Sequence, residues 1–344
     1  MECLIKPPPE SNCTPGYLWK LKKCVYGLSD ASLKWYTKVK KFVTDNNGII
    51  SKIDPSLFLW YNTKQAVVGI MTIHVDDFLC TGDNGFIESF ISKLQENFAV
   101  GKIETKCFKY LGLNIKHEGN IVTLDQQNYV DNLSKIDIDI ERRKNLTAPL
   151  TTYEKEILQS KIGQLLWLCN QTRPDISFHI SNLASNLNRA TINQLIHCNK
   201  IISKVKSNNL KLQYQKLQGD LKLVVYTDAS FGNLNDGGSQ GAYLIFFVGS
   251  NGCCNLLSWQ SKRLKRIARS SLAAETIAML DGLDATLYIS ELLKETYKND
   301  KILIEVYTDN KSLHEALQSS KYVTDKCLRI DIGALKEIIS NKQI

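Results

Sequence analysis

Two apolar stretches in the last third of the chain end in the same three residues. "LKLVVYTDAS" carries Tyr-Thr-Asp ending at Asp228, and "KILIEVYTDN" carries it ending at Asp309. Both stretches read as strands, and in an α/β sheet the carboxyl ends of strands are where ligands and chemistry collect. If the two strands are neighbours, Asp228 and Asp309 stand side by side. Helix capping by an Asp that follows a strand is the alternative for either residue alone.

A long helical pattern between these strands carries a further acid, Glu275. The residues three, four and seven positions later are Ala278, Met279 and Gly282, which form an apolar face of small residues. An unpaired glutamate is costly on such a face, and a solvent-exposed glutamate fits these neighbours poorly. A candidate fourth acid, Asp331, lies in "LRIDIGAL" on the last predicted helix, although singly it is equally consistent with a surface position.

Together these four acids predict a site for divalent cations. Hard oxygen ligands suit Mg²⁺ or Mn²⁺, and the set contains no Cys or His, which argues against zinc. Two such ions, roughly 4 Å apart, would activate a water and stabilise the leaving oxygen in phosphodiester cleavage. The predicted catalytic and metal-binding residues are Asp228, Glu275, Asp309 and Asp331.

A second acidic feature is the pair Asp76 and Asp77 in "TIHVDDFLCTG". Apolar β-rich runs flank the pair, so we predict a tight turn between two buried strands. A bare carboxylate in apolar surroundings costs several kcal/mol unless something neutralises it. Strand geometry also lets only one of two adjacent residues point at a given site. An acidic surface turn is the alternative for this dipeptide taken alone.

The order of predicted elements divides the chain into three sections. Residues 1–148 are rich in strands, residues 149–218 are mainly helical, and residues 219–344 follow the order β-β-β-α-β-α-α. The predicted class is α/β, with an α+β first section and a mixed sheet in the last. No stretch approaches the roughly 18 apolar residues of a membrane span, so we expect no membrane association and a cytosolic or nuclear location.

The balance of charge favours a polyanionic partner. Lys and Arg number 43 against 35 Asp and Glu, a net charge of +8. A phosphate-contacting face is predicted at Lys200, Lys204 and Lys206, with a solvated lysine face as the alternative. Aromatic and basic residues that suit a template-primer track alternate near the N-terminus: Lys22, Lys23, Tyr26, Lys34, Trp35, Tyr36 and Lys38. Core packing is an equally good interpretation of these aromatic residues.

The last section resembles the ribonuclease H domain attached to copia-type retrotransposon reverse transcriptases. The matching segments are "YTDAS", "SWQSKR" with "SSLAAE", "YTDN" and "RIDI". The order Asp, Glu, Asp, Asp is that of ribonuclease H, whereas retroviral-type integrases share the fold but place the Glu last. Many relatives have a His two residues before the last Asp, where this chain has Arg329.

The first section is similar to the copia-family reverse transcriptase. The segments that carry this resemblance are "LWKLKKCVYGLSDASLKWY", "HVDDFLCTG", "KYLGLNI" and "QTRPDIS", with His74 where the family usually has Tyr. The resemblance implies that Asp76 and Asp77 lie at a palm-domain polymerase site, neutralised by Mg²⁺ and the triphosphate of an incoming nucleotide. It also implies that the first metal-binding Asp precedes Met1. We therefore expect no DNA polymerisation by this chain alone, and a poorly stable N-terminal section.

These observations together suggest the C-terminal part of a retrotransposon Pol polyprotein. The expected domains are a truncated reverse transcriptase palm and fingers at 1–148, a thumb or connection at 149–218 and a ribonuclease H-like domain at 219–344. The expected substrate is the RNA strand of RNA–DNA hybrids, recognised by backbone shape and 2′-hydroxyls. Expected partners are such hybrids, template-primer nucleic acid and other Pol and Gag products, in a cytoplasmic virus-like particle or in the nucleus. A non-catalytic nucleic-acid-binding remnant and a co-opted interaction module are the alternatives.

Overall fold

The structure is a computed structural model, and it describes residues 4–14, 16–22, 25, 27–234, 236–299, 301–321 and 323–341. The chain forms two compact units, Met1–Gly101 with Glu295–Lys298 and Lys102–Lys294 with Asn299–Ile344. Helices and β-sheets are mixed along the chain, which confirms the predicted fold class. The domain limits at 148 and 218 stay a prediction. Within the described ranges, no helix combines the length and apolarity needed to cross a membrane.

The first unit is built around an antiparallel sheet. Its elements in chain order are β1 (Leu4–Ile5), β2 (Trp19–Lys20), α1 (Ala31–Asp45), β3 (Ile49–Ile50), β4 (Leu57–Tyr61), β5 (Val67–His74), β6 (Asp77–Gly82) and α2 (Asn84–Asn97). Strands β1 and β2 pair with each other, and the other four form a sheet in the order β3-β4-β5-β6. The helix predicted from Ala31 and the hairpin predicted at the Asp pair are both confirmed.

Aromatic side chains fill the core between this sheet and helices α1 and α2. Val39, Phe42 and Val43 repeat at helical spacing along α1, and all three are buried. The ring of Phe90 on α2 lies 4.8 Å from the ring of Trp60 on β4. Each large apolar side chain buried here contributes roughly 1.5–3 kcal/mol, so the two helices are held by hydrophobic packing.

The second unit begins with a second antiparallel sheet and a group of helices. The elements are β7 (Cys107–Tyr110), β8 (Leu113–Glu118), β9 (Ile121–Asp125), α3 (Gln127–Asp131), α4 (Ile140–Arg143), α5 (Thr152–Gln171), α6 (Ser177–Ser185), α7 (Ile192–Ser207) and β10 (Leu212–Gln215). The strands pair in the order β10-β9-β8-β7. Helices α5, α6 and α7 share a core of fully buried aliphatic residues that includes Leu158, Leu165, Ile180, Ile192 and Ile202.

The prediction of a single strand across "KYLGLNIKHEG" is wrong. Leu111 and Gly112 have φ values of +50° and +80°, and they form a two-residue turn between β7 and β8. Two consecutive residues at positive φ are typical of one class of two-residue hairpin turn, and Gly112 adopts that conformation without steric cost. The apolar residues on both sides of the turn concealed it in the sequence.

The remaining residues of the second unit form a mixed sheet with helices. The elements are β11 (Leu221–Ser230), β12 (Gln240–Gly249), β13 (Cys254–Arg263), α8 (Ser271–Tyr297), β14 (Leu303–Tyr307), α9 (Lys311–Gln318) and α10 (Lys326–Ser340), and this is the predicted order. The strands lie in the order β13-β12-β11-β14, with β11 antiparallel to β12 and parallel to β14. The Asn251-Gly252 turn connects β12 to β13, with Gly252 at φ +77°.

Helix α8 approaches this sheet closely because Gly282 has no side chain. A Cβ atom at Gly282 would lie 2.9 Å from Cγ2 of Thr227 and 3.2 Å from Cβ of Tyr243. Met279 and Leu283, on the same side of the helix, are buried in the core with Leu223 and Val225 of β11. The small-residue face predicted around Glu275 is thus the face that packs on the sheet.

Candidate metal centre

The parallel pairing of β11 and β14 explains how two of the predicted acids meet. Tyr226 of β11 lies opposite Tyr307, the last residue of β14, and in both segments the aspartate comes two residues after the tyrosine. Asp228 is the eighth residue of β11, and Asp309 follows β14 immediately before Asn310, which caps helix α9. The two Tyr-Thr-Asp segments therefore run side by side and deliver both carboxylates to the same end of the sheet.

Helix α8 supplies the third acid from its N-terminal part. Glu275 is only 5% exposed, whereas Asp228 and Asp309 are exposed. Carboxylate oxygens of these three residues all lie within 4.8 Å of one another. Oε2 of Glu275 is buried and has no hydrogen-bond partner among the described residues. Three separate elements thus converge on one point, and one of the convergent oxygens is unsatisfied.

The environment of Glu275 disfavours its ionised form. Burial raises the pKa of Glu275 to about 7, the backbone N–H of Ala229 opposes this shift by hydrogen bonding, and Asp228 and Asp309 add to it. Two unit charges 4.8 Å apart repel by about 3–4 kcal/mol at an effective dielectric constant of about 20. Three ionised carboxylates in this arrangement therefore need a cation to stabilise them.

The donor set fits a hard divalent cation. It consists of carboxylate oxygens without Cys or His, which suits Mg²⁺ or Mn²⁺. The unpartnered Oε2 of Glu275 supplies a buried ligand atom, and the two exposed aspartates leave the group open to solvent. Asp228, Glu275 and Asp309 are the residues that would hold such an ion.

Asp331, the predicted fourth ligand, is engaged elsewhere. Both of its carboxylate oxygens accept hydrogen bonds from Nη1 of Arg266, at 3.0 Å each, and it is outside the group of three acids. Arg329, which occupies the position of the family's His, donates from Nε to the carbonyl of Val323 at 3.0 Å.

The pair Asp76 and Asp77 lies at the tip of the β5–β6 hairpin. His74 pairs with Asp77, so Val75 and Asp76 form the turn, with Val75 at φ +52°. Both aspartates are exposed, and within the described part of the chain neither joins a group of three possible metal ligands. Despite their apolar flanking sequence, solvent therefore reaches both carboxylates.

Trp35, on helix α1, supports this turn through a hydrogen bond. Its Nε1 donates a hydrogen bond of 2.6 Å to the carbonyl of Val75, and its ring lies 5.4 Å from the ring of Phe98. Core packing is therefore the interpretation that these contacts favour for Trp35. The neighbouring Lys34 forms an ion pair with Asp30 at 2.5 Å. Tyr26 and Lys23, also predicted for this surface, lie outside the described residues.

The three predicted lysines of helix α7 have different surroundings. Lys206 donates from Nζ to the carbonyl of Asp131 at 3.1 Å, and Lys204 lies in the electrostatic field of Asp175. Lys200 lines a groove together with Lys135 and Arg143, two cations that the sequence reasoning did not single out. No spacing in the sequence connects these three residues, because residues 132–143 have little regular periodicity.

The "QTRPDIS" segment has a structural role at the end of helix α7. Arg173 is 2% exposed and forms two hydrogen bonds with the carboxylate of Asp175, at 2.8 and 2.9 Å. Its Nη1 donates to the carbonyls of Val205 and Asn208, at 3.1 and 3.0 Å. The buried guanidinium thus satisfies carbonyl groups that the end of a helix leaves without partners.

Comparison with known proteins agrees with the resemblance to copia-type retrotransposon Pol polyproteins. Residues 1–151 match the family model described as reverse transcriptase (RNA-dependent DNA polymerase). The chain is 28% identical to the Pol polyprotein of transposon RE1 from Arabidopsis thaliana, over 82% of this chain and 19% of the relative. It is 24% identical to the Pol polyprotein of transposon TNT 1-94 from Nicotiana tabacum, over 94% of this chain and 26% of the relative.

The chain thus spans about a fifth to a quarter of the length of these two plant polyproteins. Homologous Pol polyproteins of copia-type retrotransposons cover most of the chain, which confirms the predicted similarity. Among solved structures, the foamy viral protease-reverse transcriptase in complex with RNA/DNA hybrid is similar over 95% of this chain and 38% of that chain. Its TM-score is 0.52 at 13% identity, a likeness of fold.

Proposed function

We propose that the chain hydrolyses the RNA strand of RNA–DNA hybrids, using divalent cations held by Asp228, Glu275 and Asp309. The observation that carries this proposal is the meeting of three carboxylates within 4.8 Å around a buried glutamate oxygen without a partner. The similarity to retrotransposon Pol polyproteins, and to a reverse transcriptase fold solved with an RNA/DNA hybrid, supports the choice of substrate.

The exposed acids and the buried acid of this site would have different roles. Bound divalent cations would supply charge neutralisation and an acidified water for attack on a phosphodiester. Asp228 and Asp309 are exposed, so they are the acids that a polymer substrate can approach. Glu275 lies behind them, and the N–H of Ala229 fixes its carboxylate. This arrangement keeps one ligand in place while solvent and substrate exchange on the open side.

Asp331 remains part of the proposal as a fourth ligand. Its partner Arg266 has a side chain that is 54% exposed. The side chain of Asp331 itself is 16% exposed. Ion pairs with a solvent-exposed partner contribute on the order of 1 kcal/mol, so cations bound at the acidic centre would offset the cost of releasing Asp331 from Arg266.

A non-catalytic nucleic-acid-binding protein is the second candidate function. The ion pair between Asp331 and Arg266 favours it, because a site that lacks its fourth acid has fewer ligands for a second cation. Co-option as an interaction module is a further form of this alternative. Turnover of a hybrid substrate separates these candidates from the enzyme.

For the first unit we propose a contribution to RNA-directed DNA polymerisation in a larger protein. The match of residues 1–151 to the reverse transcriptase family supports this, with Asp76 and Asp77 as metal and nucleotide ligands. Within the described residues these two acids meet no third ligand, so we expect no primer extension by this chain alone. The partners proposed are template-primer nucleic acid and other Pol and Gag products, in a virus-like particle or in the nucleus.

The test of the main proposal is cleavage of a hybrid labelled on its RNA strand. With Mg²⁺ or Mn²⁺ we expect internal cuts in the RNA of the hybrid, with duplex DNA and single-stranded RNA left intact. Asp309→Asn should abolish cleavage, because a neutral amide is a poor ligand for a hard cation. Asp325→Asn is the matched control, since Asp325 caps helix α10 and should affect stability alone. Full cleavage by the Asp309 variant would refute the assignment.

A further inference from the structure

An open groove in the second unit collects three cations from two different segments. Lys135 and Arg143 belong to the segment between helices α3 and α5, and Lys200 lies on helix α7. The groove has a volume of about 280 Å³. Its other lining residues are Ile138, Ile196, Asn199 and Ser203, and none of the described residues that line it is acidic.

The walls of the groove are fixed by hydrogen bonds and by the core. Asn199 accepts from the backbone N–H of Ile136 at 2.7 Å and donates from Nδ2 to the carbonyl of the same residue at 2.8 Å. Ile136 and Ile138 are each 5% exposed and belong to the core of the helical region. The segment that carries Lys135 and Arg143 therefore cannot move away from helix α7 without breaking these contacts.

The positive charge of the groove is not neutralised locally. Within the described chain, Lys135, Arg143 and Lys200 form no hydrogen bond or ion pair through their cationic groups. Among the acids nearest in sequence, Asp139 caps helix α4 and Glu141 pairs with Lys144. Asp137 is exposed, and within the described chain it forms no ion pair with the three cations. Lys204 lies one turn after Lys200 on α7 and adds charge of the same sign.

We infer that this groove binds the phosphodiester backbone of a nucleic-acid duplex, separately from the acidic centre. Because the walls of the groove are fixed, less conformational entropy is lost when its three unpaired cations are ordered around an anion. Contacts with the phosphate backbone of a nucleic acid carry no sequence preference. The choice of a polynucleotide as the source of the phosphates rests on the proposed function. A small phosphate compound has the same chemistry and is distinguished by the experiment.

The experiment measures duplex binding without catalysis. The affinity of the full chain for a fluorescein-labelled RNA–DNA hybrid is followed by fluorescence anisotropy in EDTA, at about 50–200 mM salt. Three phosphate contacts contribute about 2.7 to the slope of log affinity against log salt. The variant Lys135→Gln, Arg143→Gln, Lys200→Gln should lose most of that slope and bind at least about 10-fold more weakly at the lowest salt.

A control variant removes the same charge outside the groove. The substitutions Lys109→Gln, Lys155→Gln and Arg189→Gln lie in the same unit at residues that do not line the groove, and we expect the slope to fall by less than about one. A charge-conserving variant, Lys135→Arg, Lys200→Arg, should keep the original slope if charge is the cause. Circular dichroism spectra and thermal melts of all variants establish that they are folded.

Two outcomes would overturn the inference. An equal loss of slope in both triple variants would assign binding to the general positive surface of the second unit. Saturable displacement of the hybrid by inorganic phosphate at matched ionic strength, lost in the groove variant while its salt slope is unchanged, would assign the groove to a small phosphate compound. Because the measurement contains no divalent cation, failure of hybrid cleavage leaves its result intact.

Discussion

The two acidic regions of this protein bring carboxylates together in opposite ways. Asp76 and Asp77 are adjacent in the sequence, but Asp76 lies in the turn of a hairpin and Asp77 begins the strand after it, and both are exposed. Asp228, Glu275 and Asp309 are far apart in the sequence, yet a strand, a helix and the end of a second strand place their oxygens within 4.8 Å.

In this protein, the convergence of possible metal ligands therefore comes from topology more than from sequence proximity. Adjacent residues of a strand point in opposite directions, so a dipeptide alone gives at most one ligand to a site. Parallel strands that share an edge, with a helix packed on their sheet, can aim several side chains at one point. The second arrangement also buries one acid, and burial raises the pKa of Glu275 to about 7.

The largest expected effect is the difference in hybrid cleavage between Asp228→Asn and Asp76→Asn. Loss of one carboxylate from the convergent site removes a cation ligand worth several kcal/mol in the transition state, so hybrid cleavage should fall about 100-fold or more. Asp76→Asn neutralises an exposed turn and should leave hybrid cleavage unchanged. Initial rates with Mn²⁺, measured for both variants on the same hybrid, give the comparison.

Manganese affinity provides a second measurement on the same two variants. Electron paramagnetic resonance counts bound Mn²⁺, and we expect the loss of high-affinity binding in Asp228→Asn alone. Equal losses in the two variants, for cleavage and for binding, would mean that the exposed turn contributes to the same site as the three convergent acids.

The burial of Glu275 predicts an intermediate effect on stability in the cation-depleted protein. Its pKa rises from an ordinary value of 4.5 to about 7 in the folded state. Between these values the folded protein retains a proton that the unfolded chain has released. The free energy of unfolding should therefore fall as pH rises from about 4.5 to about 7, by up to about 3 kcal/mol, and this contribution should stay constant above that range.

Urea unfolding in EDTA at about pH 5 and about pH 8 measures this dependence, with Glu275→Gln in parallel. Since glutamine does not titrate, the variant should lack this part of the pH dependence while retaining that of other groups. Mg²⁺ at about 100 times its dissociation constant should restore about 2.7 kcal/mol at the higher pH. Identical pH profiles for the two proteins would show that Glu275 is accessible to water.

The sequence predicts the elements that form the acidic centre better than it predicts the complete set of acids. The repeated Tyr-Thr-Asp ending requires two similar strands, and parallel pairing of β11 and β14 then brings Asp228 and Asp309 together. Glu275 could be predicted because its helical neighbours are apolar and small. Asp331 could be predicted only as an acid on the last helix, since the hydrogen bonds from Arg266 depend on tertiary structure.

The turn between β7 and β8 and the groove on helix α7 could not be predicted from local sequence patterns, and each has a physical reason. The turn at Leu111-Gly112 interrupts an apolar run, and Leu at positive φ has no sequence signal of its own. The groove of Lys135, Arg143 and Lys200 forms because Asn199 holds an irregular segment against helix α7. A periodic pattern indicates which face of an element is buried, but it does not indicate which distant segment covers that face.

The smallest predicted effect concerns the bond that supports the exposed turn. Trp35→Phe keeps an aromatic ring beside Phe78 and Phe98 but removes the Nε1 donor to the carbonyl of Val75. The turn is exposed, so water can hydrate that carbonyl after the substitution, and the free energy of unfolding should fall by about 0.5–1.5 kcal/mol. Chemical denaturation followed by circular dichroism measures this loss, while hybrid affinity at low salt should not change.

If the variant instead keeps its stability and binds nucleic acid several-fold more weakly, Trp35 stacks on bases and the packing interpretation is wrong. That result would also mean that the first unit, with its exposed aspartates, has its own nucleic-acid-binding surface. The exposed acids would then belong to a binding surface, and the convergent acids to a site of chemistry.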